Sequence, residues 1–578
     1  MQTIKKLIAR QILDAVNAEH PDAGLTEEEI ASALEYPPDP GMGDLAFPCF
    51  RLSRALRRSP VQIAAALAEK LGGGCVGAAR AVGGYLNFTI SEGYLGDKVV
   101  PEILAAGDRY GAQTFGEGKT VVLDYSSPNV AKPFHIGHLG TTVIGHSLRR
   151  LHEFAGYRCV GINYLGDWGT QFGKLIVAYR LWGSREMVEQ GGIDTLVELY
   201  VRINNEIKGD PEHGVPGNSE LAEASRAEFH KLETGDEENL KLWRWFVDIS
   251  LAEYQKTYRQ LDIEFDSYLG ESFYTDKMPA QIEILRQKHL LKTDDGAEIV
   301  DLSEYNMPPC LILKRDGSTL YPTRDIAAAV YRKEHYHFDK AIYVTSAQQC
   351  LHFAQWFKVV ELMGYPWYNE LVHVPYGTVS LNGEKLATRT GNVVLLRDLF
   401  ALAIDKVKAI MKEKNTGAEN IEETAEAVGV GAVVFYYLSN NRMKDINFVM
   451  EDALSFDGNT GPYVQYTYAR ACSVLSRAGW QPSGAPVRIT CGEESALVKL
   501  LCRFGERVCA ALDDYEPSYI TRFILDVAAA FNRFYHNCPI LSAEDPEVRA
   551  SRLAMTEAAR IVLGNAFDLI CLKKTEKV

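Results

Sequence analysis

The sequence predicts an α/β protein. A doubly wound, mostly parallel, Rossmann-like sheet forms its centre, with a smaller α/β domain before it and an all-helical domain after it. Three observations lead there. From about 115 to 410, short β-rich runs (KTVVLDY, RCVGINYLG, KAIYVTS, ELVHVPYG) alternate with helical stretches, the pattern that builds parallel sheets through crossover helices. Residues 1 to about 112 carry helix and strand signals of their own. Beyond about 415 the strand pattern ends. A chain of 578 residues is too long for one core. It divides into 1–112, 113–410 with an insertion near 180–300, a helical connector 411–455, and 456–578.

In the first domain, RSPVQIAAALAEKL places Ser59 as N-cap, Pro60 at the first helical position and Gln62 to close a capping box. GGYLNFTI reads as a strand after a glycine turn. Arg51, Arg54 and Arg58 recur at i, i+3 and i+7, a basic stripe on one helix face that suits solvent or RNA equally. In the central part, the polar stretch KGDPEHGVPGNSE marks the insertion. In the last domain Ile520, Phe523, Ile524, Val527, Phe531 and Phe534 form an unbroken helical stripe.

Composition narrows the class. Hydrophobic residues at 47% with 24% charged describe an ordinary globular chain. A net charge of −15 argues mildly against nucleic acid, although a basic patch can sit on an acidic protein. The eleven cysteines are scattered and contain no C-x-x-C. Neither a zinc site nor a disulfide framework is expected, and a reducing cytoplasm is the natural compartment. The amphipathic start lacks the apolar core of a signal peptide. The longest apolar run, near VGVGAVVFYYL, is shorter than the ~18–20 residues of a membrane span. There is no internal repeat.

The stretch SSPNVAKPFHIGH follows the strand TVVLDY and opens a helix. Ligands of doubly wound sheets sit at such carboxyl ends, and a helix N-terminus presents free N–H groups to an anion. His135 and His138, three apart, can both donate to phosphate oxygens. Gly137, without a side chain, would let a base or sugar approach the backbone. The same four residues also suit a structural histidine pair. A metal site lacks a third clustered ligand.

These residues resemble the HIGH signature of class I aminoacyl-tRNA synthetases. LGDWGTQFG, LYPTRDIAAA, FDKAIYVTSAQQCLHFAQ and NTGPYVQYTYAR narrow the resemblance to the arginyl-tRNA synthetases, over most of the chain. It implies activation of L-arginine with ATP, Mg2+ accompanying the nucleotide, and transfer of arginine to the 3′ end of tRNA(Arg), with tRNA needed for efficient activation. The N-terminal domain would contact the tRNA elbow and the C-terminal helical domain the anticodon. The chain would act as a monomer, without a membrane.

The family's second signature resembles KLATR, where Lys385 matches its first lysine, after a tight turn at Asn382-Gly383. Thr388 stands where the catalytic lysine usually stands, and Ala387 replaces the serine. Lys132, just before HIGH, matches the position that compensates in such members. Lys132, His135, Gly137, His138 and Lys385 are therefore the expected ATP-binding and catalytic set.

A selective pocket for a planar, permanently charged guanidinium should offer carboxylates. Asp124, Glu271 and Asp325 match the family's arginine contacts, and Asn129, Tyr321 and Gln349 its other substrate positions. The tail FDLICLKKTEKV departs from the usual family ending. Two alternatives stand beside this reading: a nucleotidyltransferase of the HIGH type without tRNA, and a synthetase-like RNA-binding protein that has lost catalysis. Arginine-dependent adenylate formation with and without tRNA separates the three.

Overall fold

The computed structural model describes residues 1–578 except 22–23, 133, 210–215, 382–383, 386–393, 415–419, 457, 483, 485 and 578. The first domain contains α1 (Gln2–Glu19), α2 (Glu27–Ala33), β1 (Leu45–Pro48), α3 (Ser53–Leu56), α4 (Pro60–Ala68), β2 (Val76–Val82) and β3 (Tyr85–Ile90). Its antiparallel sheet has the order β1-β3-β2. Helix α4 starts as its sequence requires: Gln62 N donates to Ser59 Oγ and Ser59 N to Gln62 Oε1, both at 3.3 Å. The basic stripe does not survive folding. Arg57 takes a left-handed φ of 50° and ends α3 after Leu56. Arg51, Arg54 and Arg58 therefore share no single helix.

Short helices α5 (Glu92–Tyr94) and α6 (Val100–Ala106) lead into β4 (Thr120–Asp124), α7 (Leu139–Phe154) and β5 (Arg158–Ile162). Then come helices α8 (Thr170–Trp182), α9 (Arg185–Lys208), α10 (Ser219–Glu233) and α11 (Glu237–Gln260). Helix α12 (Met278–Gln287) precedes an antiparallel module of β6 (Leu291–Asp294), β7 (Ala297–Val300) and β8 (Cys310–Leu313). The sheet resumes with α13 (Tyr321–Tyr336), β9 (Lys340–Ser346), α14 (Cys350–Leu362) and β10 (Leu371–Tyr376).

The central sheet has the order β10-β9-β4-β5, every pair parallel. From β4 the chain crosses through α7 to β5 on one side and later returns to β9 on the other. The carboxyl ends of β4 and β9 therefore flank the switch point, where such sheets open a crevice. Alternation along the strands serves two cores. Val121, Leu123, Ile342 and Val344 face a core shared with α7 and the helical domain. Val122, Ala341 and Tyr343 face a second, with Ile326, Ala329 and Val330 of α13 and Phe353, Trp356 and Val359 of α14.

Downstream lie β11 (Val379–Leu381), β12 (Glu384–Lys385), α15 (Leu396–Lys414), α16 (Ile421–Leu438), β13 (Ile446–Phe448) and α17 (Met450–Ala453). The short β13 pairs in parallel with β11, a strand beyond 415 that periodicity over three residues cannot reveal. Helices α18 (Gly461–Ala478), α19 (Gly492–Leu501), α20 (Phe504–Asp513), α21 (Ser518–Asn537) and α22 (Pro546–Leu569) form the last part. All six residues of the expected α21 stripe are buried.

The atypical tail packs inward. Ile570 and Leu572 are buried, and Gln465 Nε2 donates to Lys573 O at 3.0 Å. Ser147 Oγ of α7 donates to Leu569 O at 2.6 Å. The first domain also leans on the last: Lys499 pairs with Asp44 at 2.8 Å and Lys5 with Glu506 at 3.2 Å. No described helix is long and apolar enough to cross a membrane.

Candidate active site

The turn His135–His138 is built by its own side chains. Gly137 N donates to His135 Nδ1 at 3.0 Å and His135 N donates to His138 Nδ1 at 3.2 Å. With each Nδ1 accepting, each neutral ring carries its proton on Nε2. Burial, aided by Lys132, lowers the His135 pKa to about 4. Burial, with smaller contributions from His135 and Lys132, brings His138 to about 3. Both imidazoles are therefore neutral donors at physiological pH. Their rings lie 4.0 Å apart, and His138 stacks on Phe134 at 5.2 Å.

A Cβ at Gly137 would stand 2.7 Å from His135 Cε1 and 2.8 Å from its Nδ1. The absence of a side chain at Gly137 thus leaves room for the neighbouring imidazole.

Lys132 is half-buried beside the pair. Burial pulls its pKa below the ordinary value while Glu271 opposes. Tyr254 Oη donates to the carbonyls of Asn129 and Lys132, both at 2.8 Å, and fixes this loop. Two neutral N–H donors and one ammonium at the N-terminus of a helix suit a polyanion such as a phosphate chain.

The HIGH turn is also tied to residues 394–396, which follow the KLATR sequence. Ile136 N donates to Val394 O at 3.1 Å, and Leu396 N to Phe134 O at 2.9 Å. Upstream, Ser380 pairs with Lys385 and Leu381 with Glu384 across a two-residue connection. Lys385 thus stands in β12. Asn382, Gly383, Leu386, Ala387, Thr388 and Arg389 lie outside the described residues.

Of the expected arginine contacts, Asp124 ends β4, Glu271 opens the turn before α12 and Asp325 lies in the first turns of α13, each with an internal partner of its own. Glu271 Oε2 meets Arg324 Nη1 at 2.6 Å, the two side chains 14% and 12% exposed. Burial raises the Glu271 pKa to about 7; Asp325 and Asp167 push the same way, and Arg324 and Lys132 oppose. Asp325 Oδ2 contacts His352 Nε2 at 2.6 Å. Asp124 is fully enclosed. Its Oδ2 meets Arg332 Nη1 at 2.7 Å, and Ser127 Oγ donates to its Oδ1 at 3.0 Å. Burial pushes the Asp124 pKa up against the pull of Arg332. Arg332 is itself buried, its guanidinium 5.1 Å from the ring of Tyr164 and 5.7 Å from that of Tyr343. Asp124 therefore holds the guanidinium of Arg332, as Glu271 holds that of Arg324.

Asn129 is exposed and bridges to Gly166. Tyr321 is 63% exposed at the start of α13. Gln349 is exposed in the turn after β9.

Sequence reasoning missed Arg324, His352, Arg332 and Asp167. Asp167 accepts Ser272 N at 2.8 Å and Ser272 Oγ at 2.6 Å and so anchors the turn that begins with Glu271. Arg324 and Asp167 stand inside quoted motifs, YPTRD and LGDWG, so proximity to a named residue was the available signal. Arg332 carried none.

Known proteins share this architecture. The family model for the catalytic domain of class I (R) tRNA synthetases matches residues 99–450, more than half of the chain. The chain belongs to the arginyl-tRNA synthetase family. The model of that family's N-terminal domain matches residues 2–90, and a DALR anticodon binding domain matches 464–578. The arginine–tRNA ligase of Clostridioides difficile (strain 630) is 50% identical over 557 residues, 96% of this chain and 97% of its own. That of Clostridium perfringens (strain 13 / Type A) is 47% identical over 577 residues, covering 99% and 100%. Among solved structures, the arginyl-tRNA synthetase of Thermus thermophilus superposes with a TM-score of 0.82 at 26% identity, over 99% of both chains.

Proposed function

We infer that this chain is an ATP-dependent arginine–tRNA ligase. The observation that carries the reading is two chemistries brought close together. Neutral imidazole donors and Lys132 stand at the N-terminus of α7, and Lys132 lies near enough to Glu271, itself beside Asp325, for their charges to shift one another. The first group suits the phosphates of ATP and the two carboxylates a guanidinium.

In the first step the arginine carboxylate attacks the α-phosphate, giving arginyl-adenylate and pyrophosphate. In the second, a 3′-terminal ribose hydroxyl of tRNA(Arg) takes the arginyl group and AMP leaves. No protein nucleophile is needed. His135 and His138 donate through Nε2 to phosphate oxygens, Lys132 neutralises charge growing there, and Lys385 belongs to the same ATP-binding set. Such groups act by position and preorganised charge. Glu271 and Asp325 bind the substrate guanidinium, and Asn129, Tyr321 and Gln349 line its approach. Asp124, paired with Arg332 as Glu271 is with Arg324, belongs to the same arginine-binding set.

Mg2+ enters with ATP. Among the described residues, no group of three His, Cys or carboxylate ligands close enough to share an ion includes these residues. The division at 112, 410 and 455, the cytoplasmic location and the monomer are part of the same proposal. So is the assignment of tRNA to the helical domain, where Arg470 sits 4.9 Å from the rings of exposed Tyr466 and of Tyr535. Arginine and aromatic faces together are a platform for unpaired bases.

An aminoacylation assay offering each amino acid with total tRNA tests the reading. Arginine alone should be charged. Charging of another amino acid, or adenylate formation with no transfer, would sink it.

A further inference from the structure

Away from the cleft, two cysteines 47 positions apart in sequence meet in the helical domain. Cys491 caps the N-terminus of α19 and Cys538 the C-terminus of α21, and their sulfurs lie 3.4 Å apart. Glu493 completes a cluster in which one ligand atom from each residue lies within 4.8 Å of the others.

The surroundings hold this cluster in place. Arg552 of α22 clasps both segments: its Nε donates to Glu494 Oε1 and its Nη1 to Pro539 O, both at 2.7 Å. Glu494, whose side chain is fully buried, also accepts from Thr490 N at 2.6 Å. Asn537 Nδ2 donates to Glu493 Oε1 at 3.0 Å, which orients that carboxylate and leaves Oε2 for a ligand. Each donor thus comes from a segment whose neighbours are fixed independently, the arrangement metal sites use to orient ligands.

Distances decide between the two fates of such a pair. Thiolates on a tetrahedral ion, with metal–sulfur bonds of about 2.3 Å, stand about 3.8 Å apart. A disulfide requires about 2.05 Å. From 3.4 Å, the ion needs an opening of about 0.4 Å, whereas the covalent bond needs a closure of more than an ångström.

We propose that Cys491, Cys538 and Glu493 form a site for a thiophilic divalent cation of the zinc class, with its fourth position open to water. Each thiol gives its proton to solvent as its sulfur–metal bond forms, and no electron is transferred. The ion staples the start of α19 to the end of α21. The absence of a C-x-x-C hid the site because its ligands come from two separate loops.

Full-length, reduced, chelator-treated protein without a histidine tag is titrated with Co2+ alone. A sulfur-to-cobalt charge-transfer band should saturate at one ion per chain and be displaced by Zn2+. Cys491→Ser or Cys538→Ser should abolish the band, and Glu493→Gln should weaken binding by about tenfold or more. Because a serine variant can fail to fold, iodoacetamide labelling of the wild type is mapped by mass spectrometry. Zn2+ should protect half-buried Cys491, buried Cys538 being out of reach of the reagent, and leave exposed Cys350 reactive. The proposal falls if folded wild-type protein gives no band, if the band persists in both serine variants, or if zinc leaves labelling unchanged. Capture of the pair as a disulfide without metal binding would equally overturn it.

Discussion

Lys132 and Glu271 lie close enough for each charge to act on the other, and they make opposite demands. Lys132 is the cation nearest the HIGH imidazoles in sequence, and Thr388 stands where the family usually has another. Lys132→Ala should lower adenylate turnover by roughly 10²–10³, about 3–4 kcal/mol for one preorganised donor, and leave the arginine KM nearly unchanged. Pyrophosphate exchange measures both, and near-normal turnover would make Lys132 only a surface lysine. Glu271 sets a pH dependence. Its pKa of about 7 leaves it half protonated at neutrality, while a bound guanidinium favours the ionised form. The arginine KM should therefore fall as pH rises toward 7, by up to about tenfold per unit, and then level off. Glu271→Gln should raise KM and flatten that profile; a persisting slope would place the titrating group elsewhere. The residues named from motifs were legible because each motif is local in the chain. The partner of Asp124 was not: Arg332 lies far along the sequence, and only folding shows that its guanidinium already occupies that carboxylate.

At the scale of single elements, legibility follows how far a signal reaches. The capping box of α4 is written in four consecutive residues, and the apolar stripe of α21 in one helical period repeated. Both are realised. The arginine stripe at 51–58 used the same periodicity and failed, because a single left-handed residue, Arg57, breaks the helix. The HIGH turn is the element where local geometry and chemistry coincide. Its glycine leaves room for the His135 ring and donates the N–H that holds the Nε2–H tautomer. Gly137→Ala should push that ring aside and break the bond. We expect adenylate turnover to drop at least tenfold, the rough lower bound for a misplaced donor, with thermal stability little changed. Wild-type turnover in the alanine variant would show that the His135 orientation is not used.

For the whole molecule the question is how a chain of net charge −15 holds a polyanion. The charge is unevenly spread. From residue 456 onward fourteen Lys and Arg offset fourteen Asp and Glu, so the helical domain is neutral and the acidity lies elsewhere. A neutral domain can still present cations on one face, and Arg470 between Tyr466 and Tyr535 begins such a face. If that domain takes the tRNA, affinity must fall as salt rises, because each phosphate contact releases a condensed counterion. The plot of log affinity against log salt should be linear, losing about 0.7–0.9 per contact. Arg470→Ala should reduce the steepness if Arg470 meets a phosphate, or lower affinity at constant slope if it stacks on a base. Removing residues 456–578 is a poor substitute for this test, since Leu569 O accepts from Ser147 of the HIGH helix and the deletion would disturb the cleft as well. Salt-independent binding by the intact chain would mean that the tRNA is held by some other surface, and the assignment of the helical domain would have to be given up.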